Sequence, residues 1–235
     1  MTLSFPPPAV TGIDFPDYRA VAERNAGIYV RLRILGTASV AAGADRGLAA
    51  ANNAVSYASG FIADPRGYVV TAAHIALSTD FTAEVITTDG RRFQGRIVAV
   101  ARGRELALIK IAPFPGMAAA HLADSTSLVK GEPAFAIGTP NHQGGVVNLG
   151  IVLRPREAMR IRYNDFGYDD AIALAMAIRP GDSGGPVFDR EGRVIGMVAS
   201  FALGNGGSKP SAAPNIAFAV PANAIAAFIR ANAEP

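Results

Sequence analysis

The chain has 235 residues and no cysteine, so neither disulfides nor thiolate metal sites can hold it together, and a core has to. Half of the residues are apolar and 17% are charged, which excludes a disordered chain. The net charge of +3 is spread out, and the densest basic group, Arg154, Arg156, Arg160 and Arg162, lacks interleaved aromatics that would stack bases, so it reads as a solvated surface strand and not a nucleic-acid interface.

Met1 to Val10 carry a triple proline but neither the basic start nor the apolar stretch of a secretion signal, so the sequence as written predicts a cytoplasmic chain. Residues 1–15 read as an irregular proline-rich arm, and 16–25 predict a short helix with Pro16 near its start. From Gly27 to Leu35, apolar Ile28, Val30, Leu32 and Ile34 alternate with Tyr29, Arg31 and Arg33, the period of a half-buried strand. Further short strands are expected near 55–62, 67–72, 82–88, 92–100 and 106–111. Pro113, Pro115 and Gly116 mark a crossing between halves. Beyond it, strands are expected near 133–138, 145–153, 158–163, 171–176, 185–189, 193–201 and 215–220. The longest apolar run, Ala171 to Ile178, is far short of the roughly 20 residues of a membrane span. Residues 36–54 and 202–214 read as long surface loops. The segment from Pro221 places Ile225, Phe228 and Ile229 on one face of a packing helix. Many short strands bounded by turn residues argue for barrels or sandwiches.

The strongest chemical signal is Gly181-Asp182-Ser183-Gly184-Gly185-Pro186. A serine among three glycines suits a tight turn whose amides point at a developing oxyanion, and in this reading Gly181 and Ser183 supply those amides while Ser183 attacks a carbonyl carbon. The bland alternative is a glycine-rich hairpin. Among three histidines, His74 ends the apolar run Tyr68-Val69-Val70-Thr71-Ala72-Ala73, where a base is held rigidly and still faces a cleft. His121 and His142 lie in loop-like stretches and read as surface histidines. No paired-histidine spacing, metal site or organic cofactor motif is visible, and Asp169-Asp170 reads as a solvated loop pair.

SGFIADPRGYVVTAAH, ELALIKI, FAIGTP, GDSGGPVFDREGRVIGMV and NIAFAVP, in this order, resemble the protease domain of the HtrA/Deg serine peptidases within the trypsin-like superfamily. The resemblance implies an all-β fold of two six-stranded antiparallel barrels with a C-terminal helix. It implies an N-terminal arm over 1–19 and a protease domain over 20–230, divided into barrels of about 20–113 and 114–230. It implies an active site between the barrels, hydrolysis of polypeptide substrates through an acyl-enzyme, and a protease domain alone, with no residues after 235 for a PDZ domain. Periplasmic or exported relatives and homotrimers built through an aromatic arm, here Phe5, Phe15 and Tyr18, also belong to that resemblance.

The sequence departs from the family at the third catalytic position. Where the family carries an aspartate, Glu105 stands, with the same charge and one methylene more. It serves if backbone or rotamer absorbs the added length; otherwise Asp80, Asp89 or no carboxylate stands beside His74, and the chain is a silent binding module on a protease fold. Asp182 also replaces the usual Asn and needs a partner. The resemblance also places Ala177 and Ile178 at the base of the substrate side-chain pocket and Ala199, Ser200 and Phe201 at its wall; with no acid at the base, small or medium apolar side chains are expected there. A second competing reading, from the resemblance alone, is a chaperone-like holder of unfolded clients.

Overall fold

A computed structural model describes residues 2–7, 12, 15, 17–36, 55–140, 144–202 and 216–234. Most of the loop expected over 36–54, most of that over 202–214, and His142 lie outside the described residues.

Helix α1 (Tyr18–Asn25) leads into β1 (Tyr29–Leu35), β2 (Val55–Asp64), β3 (Tyr68–Thr71), the four-residue helix α2 (Ala73–Ala76), β4 (Thr82–Thr87), β5 (Arg92–Ala101) and β6 (Leu106–Lys110). These six strands close into an antiparallel barrel in the order β1-β2-β3-β6-β5-β4. The second half runs through β7 (Pro133–Gly138), β8 (Val146–Arg154), β9 (Ile161–Tyr163), β10 (Phe166–Tyr168), β11 (Ile172–Ala175), β12 (Pro186–Phe188), β13 (Val194–Ala202) and β14 (Ile216–Pro221), and ends in α3 (Ala222–Asn232). Six of these strands form a second closed barrel, β11-β14-β13-β12-β7-β8, while β9 and β10 pair only with each other as a separate hairpin.

Period-two patterning decides which face goes where. In β6, Ala107 and Ile109 join Val30, Leu32, Val69 and Val85 in an apolar cluster drawn from the first barrel, and the alternate residues Leu106 and Leu108 face a different one. That different cluster spans both barrels and contains Tyr29, Phe61, Phe135, Phe188 and Met197, with the Phe135 and Phe188 rings stacked at 4.8 Å. A third cluster, with Ala136, Val152, Leu174, Val187 and Ile195, fills the second barrel. Register shifts at Ile62/Asp64 and Ile97/Ala99 bend β2 and β5, the device by which a flat sheet is turned into a closed barrel. Helix α3 buries Ile225, Phe228 and Ile229, the face expected from its sequence. The first and second barrels thus share one apolar seam, and the cleft above that seam is where their loops meet.

Candidate active site

His74 does not sit at the end of a strand as the sequence suggested. Strand β3 stops at Thr71, and the histidine lies one residue into α2, a helix with no side-chain cap. The turn is fixed from outside instead: Ala73 donates its amide to the carbonyl of Glu105 at 3.3 Å. Glu105 ends a 3-10 turn over Arg102–Arg104 in the left-handed conformation, φ 56°, and is wholly buried. This is a conformation that a non-glycine residue holds only under constraint. Oε1 of Glu105 accepts from both the His74 amide, at 3.2 Å, and His74 Nδ1, at 2.5 Å. With the Nδ1 proton committed to the carboxylate, Nε2 carries the lone pair and is the atom free to accept a proton. The two other carboxylates weighed from the sequence are elsewhere: Asp80 bonds Ser78, and Asp89 bonds Thr87 and Arg91.

Ser183 lies in the turn that enters β12. Gly181 (φ +102°) and Gly184 (φ +85°) both need the left-handed region, and a Cβ at Gly184 would overlap the Ser59 carbonyl oxygen. Within this turn the amide of Asp182 donates to Arg179, that of Gly184 to Val198 and that of Gly185 to Asp182, at 3.1, 2.8 and 2.9 Å. The amides of Gly181 and Ser183 donate to none of the described residues. Because the Asp182 carbonyl is held by Gly185 and the following peptide is trans, the Ser183 N–H points the opposite way. The amides of Gly181 and of Ser183 itself, without partners among the described residues, form an arrangement able to receive an oxyanion.

Asp182 is buried, and its partner is local: Oδ2 accepts the Arg179 amide at 2.9 Å. Burial nonetheless pushes its carboxyl up to about 7, only partly opposed by that amide and the Arg179 charge.

A cavity of about 630 Å³ brings His74 and Ser183 onto one surface, together with Gly181, Ala199, Ser200 and Phe201. Ala177 and Ile178 do not line it; Ile178 packs into the core of the second barrel. His121 is exposed and lies outside the cavity. Asp169 and Asp170, read as solvated, pair with Arg160 and Arg156 at 2.5 and 2.6 Å, although at exposed positions.

The strand expected near 158–163 covers β9, but its partner β10, and with it the hairpin, was not foreseen. The hairpin carries Tyr163 and Phe166, whose rings meet the His74 ring edge-on at 5.9 and 6.1 Å, and the Tyr163 hydroxyl stands 3.4 Å from His74 Nδ1. The available signal was Asn164-Asp165, a turn pair between aromatic strand formers, with Asn164 at φ 48°.

The trypsin-like peptidase domain family matches residues 58–197 of the chain. A probable periplasmic DegP-like serine endoprotease of Bartonella henselae is 32% identical over 171 residues, 72% of this chain and 31% of that protein. The periplasmic serine endoprotease DegP of Salmonella typhimurium is 33% identical over 168 residues, 71% of this chain and 34% of that protein. The chain thus spans about a third of the length of these curated relatives. Among solved structures, an HtrA-type protease, AlgW with a tripeptide, superposes with a TM-score of 0.73 at 26% identity, over 92% of this chain and 63% of that one.

Proposed function

The chain belongs to the trypsin-like peptidase family, on its HtrA/Deg branch, and from that premise we propose that it is a serine endopeptidase with Ser183 as nucleophile, His74 as general base and Glu105 as the carboxylate that orients the base. The observation that carries the reading is the Glu105–His74 bond at the wall of the cavity that also holds Ser183. It favours a working peptidase over a silent binding module, because the longer carboxylate reaches the imidazole.

In this mechanism Nε2 of His74 takes the Ser183 hydroxyl proton as Oγ bonds to the peptide carbonyl carbon. The amides of Gly181 and Ser183 receive the oxyanion. The C–N bond then breaks, the proton passes to the leaving amine, and water repeats the sequence on the acyl-enzyme. Glu105 holds the ring and balances the charge of the imidazolium.

The same proposal assigns residues 20–230 to the protease domain, with barrels of about 20–113 and 114–230 and an arm over 1–19. Substrates are polypeptides. Ala199, Ser200 and Phe201 present no acid to the cavity, which supports small or medium apolar side chains on the acyl side of the scissile bond. Ala177 and Ile178 would then shape that pocket from behind. The relatives' names suggest the periplasm as its compartment; none of the described helices is long and apolar enough to cross a membrane. A homotrimer through the arm is the assembly expected of it, although Phe15 already packs on Phe135 of its own chain, with rings 6.0 Å apart.

A fluorophosphonate probe and a quenched casein substrate test the reading together. The wild type should be labelled and should cleave, and Ser183→Ala should do neither. A folded wild type that resists the probe sinks the proposal.

A further inference from the structure

We propose that Tyr163 is a positioning residue for Glu105: its hydroxyl gives Oε2 the donor it lacks, and the β9–β10 hairpin is the arm that delivers it. The proposal rests on the peptidase reading above, since it assigns Glu105 the role of orienting His74.

Glu105 has no exposure to water, and while Oε1 takes two N–H donors, Oε2 is buried with no partner among the described residues. An unpaired oxygen on a buried carboxylate is costly, and it also leaves the terminal torsion of the side chain, a broad and soft one, held on one side only. A donor on the same side is the Tyr163 hydroxyl, 3.4 Å from His74 Nδ1, whose own proton is already committed to Oε1. Burial, and after it the negative charge of Glu105, raise the Tyr163 hydroxyl far above its ordinary value, so it keeps its proton and acts as a donor. Tyr168 also senses the Glu105 charge, but its hydroxyl is engaged with Ser200 Oγ at 2.8 Å.

The hairpin is fastened to the segment that carries the carboxylate. Arg160 donates to the Gly103 carbonyl at 2.5 Å and also pairs with Asp169. Arg102 lies 3.8 Å from Asp165 and stacks over the Phe166 ring at 5.5 Å. These contacts tie a second-barrel connection to residues 102–104, directly before Glu105.

Tyr163→Phe tests the idea, because it keeps the ring contacts and deletes only the hydroxyl. Peptide turnover should fall about 10-fold in kcat with KM within about two-fold and Tm unchanged, and in a Glu105→Ala background the same exchange should change the rate less than about two-fold. In 15N-labelled protein the His74 Nδ1–H resonance, identified by its loss in His74→Ala, should exchange with solvent about ten times faster in Tyr163→Phe. A wild-type kcat, a loss in KM alone, an equal loss in the Glu105→Ala background, or a wild-type exchange rate each overturns the proposal. If the wild type proves not to cleave peptides, the exchange rate still decides the role of Tyr163, and the absence of turnover counts against the peptidase reading alone.

Discussion

Ser59 on β2 donates its hydroxyl to the carbonyl of Gly181 at 2.7 Å, and its amide donates to the carbonyl of Ser183 at 3.1 Å, so one first-barrel residue anchors the second-barrel turn on both sides of Asp182. Ser59→Ala keeps the amide bond and removes the other, leaving the Gly181 carbonyl short of a partner. The expected loss is about 1 to 2 kcal/mol of stability, or roughly 2 to 8 °C in Tm. Labelling by a fluorophosphonate should slow about 10-fold, because the turn that carries the Gly181 and Ser183 amides loses one of its two bonds to Ser59. A melting curve and a labelling time course read the two effects separately; slower labelling with an unchanged Tm would show that the hydroxyl matters for geometry alone.

Gly184 and Gly116 share the left-handed backbone but not the surroundings. A Cβ at Gly184 meets the Ser59 carbonyl and the Thr71 hydroxyl, whereas at Gly116 nothing lies within 4 Å. Gly116→Ala should therefore cost only the backbone strain, about 1 kcal/mol. Gly184→Ala must displace the turn, and its labelling rate should drop more than about 100-fold.

Glu105 invites the opposite of the usual repair. Replacing it by the aspartate common in the family shortens the side chain by one methylene in a frame whose left-handed backbone already places the longer carboxylate on Nδ1 at 2.5 Å. Glu105→Asp should lower kcat about 100-fold, the effect of a misplacement near 1 Å. A gain in turnover would instead mean that the glutamate detunes the site.

The parts that could be read from the sequence are those encoded within a few consecutive residues. The apolar run near 106–111 read as a strand, and the structure makes it β6, buried on both faces, with Leu106 and Leu108 in one cluster and Ala107 and Ile109 in another. The glycines around Ser183 announced a left-handed turn because only glycine enters that region freely. Glu105 gave no such sign, since nothing in a glutamate predicts φ 56°. The strand expected near 158–163 includes β9, but β10 is three residues long, too short for a period to emerge, and Tyr163 reaches His74 only through topology. The Asp182 partner stayed hidden for a similar reason: it is a backbone amide three residues upstream, which no residue type advertises.

Phe201 is the bulkiest of the expected pocket residues and is partly exposed, with 36% of its surface accessible. Truncating it enlarges the cavity without adding charge. Phe201→Ala should shift kcat/KM toward larger apolar residues on the acyl side of the scissile bond, by about 10-fold for Phe over Val, in keeping with the 1 to 3 kcal/mol that a methylene-scale change in a pocket is worth. Peptide libraries varied at that one position measure it; an unchanged ranking would move the pocket away from Phe201.

Asp182 makes stability depend on pH in a direction opposite to that of an ion-paired carboxylate. Its carboxyl is raised from 3.8 to about 7, chiefly by burial, so the folded chain keeps a proton that the unfolded chain releases as pH climbs between those values. The folded state therefore loses stability across that window, and the loss is complete above about pH 7. Full retention of the shift would amount to at most about 4 to 5 kcal/mol, since each pH unit of displacement is worth about 1.4 kcal/mol. Asp182→Asn keeps the acceptor for the Arg179 amide and removes the charge. Its Tm should match the wild type near pH 4 and exceed it by several degrees at pH 8. Asp182 Oδ1 lies against Gly138 with no partner among the described residues; parallel Tm-versus-pH curves for the two proteins would mean that this oxygen is solvated or paired after all.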